Sequence, residues 1–241
     1  MGPESNPLLM NGVVRAGAGR PADAPPHRVV SAAGLSMICS DWTPTGADPD
    51  LAEEAAAVLH HNAVLSAYAA VGDVVPVRFG GAVSGLAAAA RHLDTHAAIY
   101  QAVLARLTDA AEYVVRLRPN ARAATPAVAP TTGRAYLSGQ RSARDARLSA
   151  AKDRADAVAA LFDALIEEAR EASGALTGVR ASEAAFLVPR GRVARLTEIC
   201  ATAHTKLSAH DLTLTLSGPW PAYSFAATEA DETALLREVA G

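Results

Sequence analysis

Residues 185–216 read AFLVPRGRVARLTEICATAHTKLSAHDLTLTL, and the order of patterns in this stretch decides the fold. The apolar start ends at Pro189 and predicts a short strand over 185–189. Apolar residues then recur at helical spacing and predict a helix over 193–207. The alternation that follows predicts a closing strand over 212–216. The stretch therefore predicts a strand, a helix and a strand in succession.

The residues before this stretch extend the same order. They predict a strand over 112–118, a long helix over 135–173 and a short strand over 176–181. The complete order of strand, helix, strand, strand, helix, strand is that of a ferredoxin-like split βαβ domain. We therefore predict an α+β protein with two domains, of which the C-terminal one, residues 108–227, is ferredoxin-like (βαββαβ) with a long helix.

The remaining residues predict an N-terminal small mixed α/β domain over 1–107, with three or four strands and two helices. Short apolar runs predict strands at residues 8–14, 28–31 and 35–40, and Gly34 supplies the turn between the last two. Helical spacing predicts the two helices over 51–71 and 84–107. Residues 228–241 are predicted to add a short C-terminal helical tail.

One further strand is predicted in the first domain from the alternating sequence VVPVRF at 74–79. Alternation places Val75, Val77 and Phe79 on one face, and Pro76 and Arg78 on the other. Because proline has no N–H to donate to a sheet, we expect this strand to lie at an edge of the sheet or to begin at this residue. Arg78 is open to two interpretations, a structural ion-pair partner or a contact for another protein.

Composition and charge exclude several classes of protein. Half of the 241 residues are hydrophobic, a fifth are charged, and the formal net charge is −3, which disfavours nucleic acid as the main partner. The basic stretch 134–154 is interrupted by two aspartates, which favours a solvated helix face. Cys39 and Cys200 are expected to be buried, inert thiols. Neither a signal peptide nor an apolar run of about 20 residues occurs, so we expect a cytoplasmic protein.

The motifs of common catalytic sites do not occur in the sequence. There is no GxxxxGK[ST], no GxGxxG after a strand, no GxSxG and no HExxH. His92 and His96 stand four apart on one predicted helix, and His60 and His61 lie on the preceding one. No cysteine or carboxylate at a matching offset completes a metal site. We therefore expect surface histidines, and no metal, cofactor or catalytic residue.

The segment SGPWPAYSF at 217–225 concentrates three of the chain's eleven aromatic residues within six positions. Two prolines flank Trp220 and hold it in an extended geometry, which fixes the indole at a small entropic cost. A fixed aromatic cluster suits a protein-binding hot spot. It suits equally a domain that pins its last strand onto its neighbour, and the residues alone leave both interpretations open.

At these residues the sequence resembles the GvpL/GvpF family of gas vesicle proteins. The run LTLSGPWPAYSF at 214–225 is similar to the family's closing "sGPWPPYsF" signature, and VPVRFG at 75–80 is similar to its "vPlRFG" strand. GRAYL at 133–137 is similar to the start of the family's long helix, and FLVP at 186–189 to the strand before its last βαβ unit. The match departs at Ala222, where the family usually has proline.

The resemblance implies a non-catalytic accessory protein of gas vesicle assembly, located at the vesicle or in the cytoplasm. Its implied partners are the small hydrophobic shell protein and other accessory proteins during vesicle nucleation or growth, with neither nucleic acid nor a membrane span. The residues that we expect to contact a partner lie in the two aromatic motifs: Arg78, Phe79, Trp220, Pro221, Tyr223 and Phe225. The alternative is a small-ligand sensor or an enzyme on a ferredoxin-like scaffold, because that fold hosts many unrelated functions.

Overall fold

The computed structural model describes residues 7–41, 51–120 and 133–226. This part of the chain is an α+β structure with two antiparallel sheets and four α-helices. It falls into two compact units: one contains the residues up to Glu112 together with those from Gly218 onward, and the other runs from Tyr113 to Ser217. Residues 218–226 are thus grouped with the first unit, whereas the sequence-based division kept them with the second. The predicted tail helix, 228–241, lies outside the described residues.

The first unit contains a five-stranded sheet with two helices. The strand order is β2, β3, β1, β4, and β5 also pairs with β1. The strands are β1 Leu8–Arg15, β2 Arg28–Ala32, β3 Leu35–Asp41, β4 Val75–Pro76 and β5 Ala82–Val83, and the helices are α1 Leu51–Val71 and α2 Leu86–Leu107. The predicted hairpin is confirmed: β2 pairs antiparallel with β3 across a turn in which Ala33 and Gly34 have φ values of 51° and 75°.

The core of the first unit lies around β1 and β3. Both strands are buried along nearly their whole length, which explains their continuous apolar runs. Helix α1 packs its inner face onto these strands in a cluster of buried side chains: Val14, Ile38, Val64, Leu65, Tyr68, Ala69 and Val74. Tyr223, much further along the chain, packs against the same cluster. Residues from both ends of the described chain therefore stabilise one core.

The strand predicted over 74–79 is shorter in the structure. Only Val75–Pro76 forms β4, and Pro76 lies opposite Gly12 at the end of the sheet path, which confirms the expected edge position. Gly80, with a φ of 100°, then turns the chain so that β5 pairs with the beginning of β1. The predicted strand is therefore reduced to two residues, and a second short strand that was not predicted, β5, follows the turn that the Gly-Gly pair permits.

The second unit is built on a four-stranded sheet in the order β7, β8, β6, β9. The strands are β6 Ala110–Pro119, β7 Glu171–Gly174, β8 Ser182–Pro189 and β9 Leu212–Trp220, and the helices are α3 Gly133–Glu168 and α4 Val193–Ser208, preceded by a 3-10 turn at Arg190–Arg192. The predicted order of six elements is confirmed. On α3, the Phe162 ring packs edge-on against Phe186 of β8, with ring centroids 5.8 Å apart.

The end of the long helix was predicted wrongly. The sequence predicts a helix to 173 and a strand over 176–181, but α3 ends at Glu168 and β7 already spans Glu171–Gly174. Pairing of β7 with β8 overrides the helix propensity of this alanine-rich stretch. Gly174 ends the strand with a φ of 84°, where a side chain would also meet the Glu183 carbonyl. That glycine was the overlooked signal for the end of a strand.

Gly12 lies in β1 at the irregularity between Met10 and Gly12 in the pairing with β3. We expect this position to tolerate no side chain larger than hydrogen without a loss of stability. A β-carbon there would lie 2.7 Å from a methyl group of Leu65 and 2.8 Å from the Val75 carbonyl oxygen. We expect Gly12→Ala to lower the free energy of unfolding by about 1–3 kcal/mol in urea titrations, because backbone blocks the new methyl. The control is Gly19→Ala, where a β-carbon meets open space. Equal stability of the two variants would contradict this packing.

Candidate partner-binding site

After β9 ends at Trp220, the chain packs into the first unit. We call residues 221–226 the C-terminal anchor. Four of its six side chains are buried, namely Pro221, Ala222, Phe225 and Ala226. The anchor is therefore an integral part of the first unit's core.

A buried carboxylate holds the turn of the anchor. Glu112, at 5% exposure, accepts a hydrogen bond from the Ser224 backbone N–H at 2.8 Å and one from the Ser224 hydroxyl at 2.9 Å. Arg106 on α2 donates to the backbone carbonyl oxygen of Phe225. Burial raises the pKa of Glu112, and the two hydrogen bonds from Ser224 offset part of that rise. The carboxylate and the guanidinium thus fix two successive residues of the anchor.

A buried histidine connects the anchor to α1 and β1. His61, at 1% exposure, places Nε2 3.1 Å from the Tyr223 hydroxyl and Nδ1 2.9 Å from Asn11 Oδ1. Asn11 in turn donates from Nδ2 to the Ser40 hydroxyl at 2.6 Å. Phe79 packs edge-on against the imidazole, with ring centroids 5.7 Å apart. His61 therefore brings together Phe79 and Tyr223, one residue from each motif that the sequence singles out.

The network assigns the protons on these groups. Because Asn11 uses its Nδ2 for Ser40, its Oδ1 accepts from His61 Nδ1–H, and Nε2 accepts from the Tyr223 hydroxyl. Burial lowers the pKa of His61, although a hydrogen bond with the Val77 backbone offsets part of that effect. Burial also raises the pKa of Tyr223 to about 12, so its hydroxyl keeps its proton. The neutral imidazole is the form that this site stabilises.

The expectation of surface histidines is wrong for three of the four. His61, His92 and His96 are all buried, and only His60 is partly exposed. His92 Nε2 lies 2.9 Å from the Tyr100 hydroxyl, so two buried side chains of α2 satisfy each other's hydrogen-bonding groups. The tyrosine partners of His61 and His92 were not readable from helical spacing. Within residues 7–41, 51–120 and 133–226, no group of three or more His, Cys, Asp or Glu side chains could hold a metal ion.

The other expected contact residues differ in exposure. Trp220 is 46% exposed and Arg78 is exposed, whereas Phe79 and Tyr223 are partly buried. Pro221 and Phe225 are buried, so their side chains are not offered to a partner. Sequence reasoning also missed Glu112 and His61. A lone glutamate in the apolar run AAEYVV was the available signal for the first of them.

The second unit has a groove between α3 and α4 with a volume of about 310 Å³. Its walls are mainly alanine and aliphatic side chains, and its charged members are Arg195, Glu198 and Lys206. Arg195 and Glu198 pair with each other at 3.1 Å. Cys200 and Cys39 are both buried with free thiols, as expected, and burial raises their pKa to about 11 and about 12. None of the side chains that line this groove is a nucleophile of the Cys, Ser or His type.

Comparison with known proteins gives a consistent result. The sequence profile described as "Gas vesicle synthesis protein GvpL/GvpF" matches residues 10–227. The fold is similar to the crystal structure of GvpF from Anabaena sp. PCC7120, with a TM-score of 0.67 and 16% identity over 93% of this chain and 98% of that one. It is also similar to GvpF from Microcystis aeruginosa, with a TM-score of 0.64 and 14% identity over 93% and 100%. A search of curated proteins gave no significant match.

The described helices are also informative about membranes. None of the helices within the described part of the chain is both long and apolar enough to cross a bilayer.

We expect the Tyr223 hydroxyl to contribute measurably to the free energy of unfolding. Tyr223→Phe removes the hydrogen bond that satisfies His61 Nε2 and leaves a buried acceptor without its donor. We expect the free energy of unfolding in urea to fall by about 1–2 kcal/mol. The matched control is Tyr136→Phe, because Tyr136 is half exposed on α3. Equal stabilities for both variants and the wild type would contradict the proposed proton arrangement.

Two buried histidines predict a loss of stability in mild acid. Burial lowers the pKa of His61 and of His27, whose Nε2 lies 2.9 Å from the Tyr68 hydroxyl, below their ordinary value of 6.5. The unfolded chain therefore binds more protons than the folded one, and the free energy of unfolding falls as the pH drops below about 6.5. Glu112, with a raised pKa, acts in the opposite direction above its ordinary value of 4.5.

Urea titrations from about pH 7.5 to about pH 5.5 measure this slope. The His61→Gln variant is expected to show a shallower decline than the wild type, since one of the two protonation sites is gone. A free energy of unfolding that rises toward acid, or an identical slope in the variant, would contradict the assignment.

Proposed function

The chain belongs to the GvpL/GvpF family of gas vesicle synthesis proteins, and on that premise we propose that it is an accessory protein of vesicle assembly. It binds the shell protein and other accessory proteins during nucleation or growth. It acts by binding and not by catalysis, at the gas vesicle or in the cytoplasm around it.

The exposure of Trp220 on a fixed segment carries the proposal. Its indole is 46% exposed, while the next two residues, Pro221 and Ala222, are buried. An aromatic side chain held by buried neighbours loses little conformational freedom when it binds. Trp220 is therefore the residue that we assign as the main contact, with exposed Arg78 as the polar one.

The remaining candidates are proposed to position this surface. Phe79 and Tyr223 both contact His61, so the motif at 75–80 and the C-terminal anchor share one support. Pro221 and Phe225 contribute through burial in the first unit. In this division of roles, Trp220 and Arg78 contact the partner. The other four candidates support the segments that carry them.

The chemistry of the partner fits an exposed aromatic group. A small hydrophobic shell protein exposes apolar surface before it assembles, and such surface aggregates unless another protein covers it. A rigid indole with a nearby apolar framework offers such cover. We also propose that the second unit is a ferredoxin-like domain, because its strand order β7, β8, β6, β9 supports the split βαβ arrangement. The division into domains at 1–107, 108–227 and 228–241 remains our proposal for how the chain is organised.

Capture of the shell protein tests the proposed contact. We expect Trp220→Ala to weaken binding of a co-expressed gas vesicle shell protein by roughly tenfold or more, because an aromatic anchor is lost. Arg78→Ala is expected to weaken it less, since a rim charge contributes less than a central aromatic group. Pull-down yields and titrations with purified protein measure both effects.

The matched control is Tyr136→Ala, which removes an aromatic side chain of similar exposure from α3. Urea titrations establish that each variant folds. Normal binding by a folded Trp220→Ala variant would contradict the assignment of Trp220, and no binding by the wild type would contradict the shell protein as the partner.

A further inference from the structure

The N-terminal part of α3 stands exposed along its length. Every side chain from Tyr136 to Asp153 is exposed, whereas Val158, Leu161 and Leu165 further along the same helix are buried. Eighteen residues of helix span about 27 Å. The described residues of the second unit thus bury none of the side chains in this part of α3, which we call the arm.

One face of the arm combines aliphatic and basic side chains. Leu137, Arg141, Arg144 and Leu148 follow at spacings of four, three and four residues. They therefore lie within an arc of about 60° and span about 16 Å along the helix. Leu137 and Leu148 are 61% and 60% exposed. We call these four residues the arm stripe.

The charge on the arm has one dominant sign. From Tyr136 to Asp153 the arm carries four basic residues, Arg141, Arg144, Arg147 and Lys152, and two acidic ones, Asp145 and Asp153. Two of these arginines occupy the centre of the arm stripe, between the two leucines. A binding partner must therefore supply negative charge at the centre and apolar contact at both ends.

A second copy of this chain does not fit the arm stripe. If two arms pack antiparallel with Leu137 against Leu148, Arg141 lies opposite Arg144 of the other copy. If they pack parallel, each arginine lies opposite itself. Both arrangements place like charges together, which is unfavourable at close range. A lipid surface also fits poorly, because a membrane-bound helix presents a continuous apolar face and this one is interrupted by two arginines.

We propose that the arm stripe binds an acidic amphipathic helix of another protein. The partner helix presents two carboxylates three residues apart, with an aliphatic side chain four residues beyond each of them. Its carboxylates pair with Arg141 and Arg144, and its aliphatic groups cover Leu137 and Leu148. Arginine suits this role because its planar guanidinium pairs with a carboxylate in two parallel hydrogen bonds. This surface is independent of the contact proposed at Trp220.

A charge exchange tests the proposal. The probe is a synthetic alanine and glutamine helix that carries Leu, Glu, Glu and Leu at the spacing of the arm stripe, and a second peptide has Lys in place of both Glu. We expect the wild type to bind the Glu peptide on the order of tenfold more tightly than the Lys peptide. The variant R141E with R144E is expected to reverse this preference, as measured by titration with labelled peptides.

The matched control is Arg91→Glu with Arg180→Glu, which changes the net charge equally at exposed positions outside α3. It is expected to keep the preference of the wild type. A Glu preference that survives in the R141E and R144E variant, or equal binding of both peptides by the wild type, would overturn the proposal.

Two further measurements separate the arm stripe from a diffuse charge effect. Leu137→Ser with Leu148→Ser is expected to weaken binding of the Glu peptide severalfold while the preference for Glu is retained. An unchanged affinity in that variant would overturn the proposal. Binding to phosphatidylglycerol vesicles that requires Arg141 and Arg144, without discrimination between the peptides, would identify a lipid-facing surface and would also overturn it.

Discussion

Glu112 lies where β6 begins, and its buried carboxylate accepts both hydrogen bonds that Ser224 offers. A carboxylate with this little exposure is stable only with partners, because burial of an unpaired charge is strongly unfavourable. The same holds for His61, which must satisfy two ring nitrogens in the core and does so with Asn11 and Tyr223. Glu112 and His61 need hydrogen-bond partners in the core of the first unit. Ser224 and Tyr223 of the C-terminal anchor supply them.

The C-terminal anchor in turn positions Trp220, the residue that we propose contacts a partner protein. β9 is the last strand of its sheet and ends at Trp220, immediately before the buried Pro221. Trp220 thus stands along the chain between an edge strand and a buried segment, and its side chain remains about half exposed. The combination of a fixed backbone and an exposed aromatic group connects the buried network to the proposed role in vesicle assembly. The arm on α3 is a separate surface with a different chemistry, basic and aliphatic instead of aromatic.

The elements of the fold were predictable from the sequence where periodicity was strong. The bounds of α1 agree with the predicted helix, and those of α2 and α4, where the apolar spacing is regular, agree within two residues. The start of β7 was not predictable, because its residues favour a helix and only pairing with β8 makes them a strand. For the candidate site, the motifs at 75–80 and 217–225 could be read from the sequence, but the burial and the hydrogen-bond partners of their residues could not. Burial of Phe225 and the partners of His61 depend on contacts between residues distant in sequence, and no local pattern encodes those.

The fluorescence of Trp220 reports whether the anchored indole contacts the gas vesicle shell protein. The chain has two tryptophans, so Trp42→Phe leaves Trp220 as the sole emitter. On titration with purified shell protein, we expect the Trp220 emission to move to shorter wavelength as the half-exposed indole is removed from water. An emission spectrum that stays unchanged while the two proteins form a complex would contradict the proposed contact.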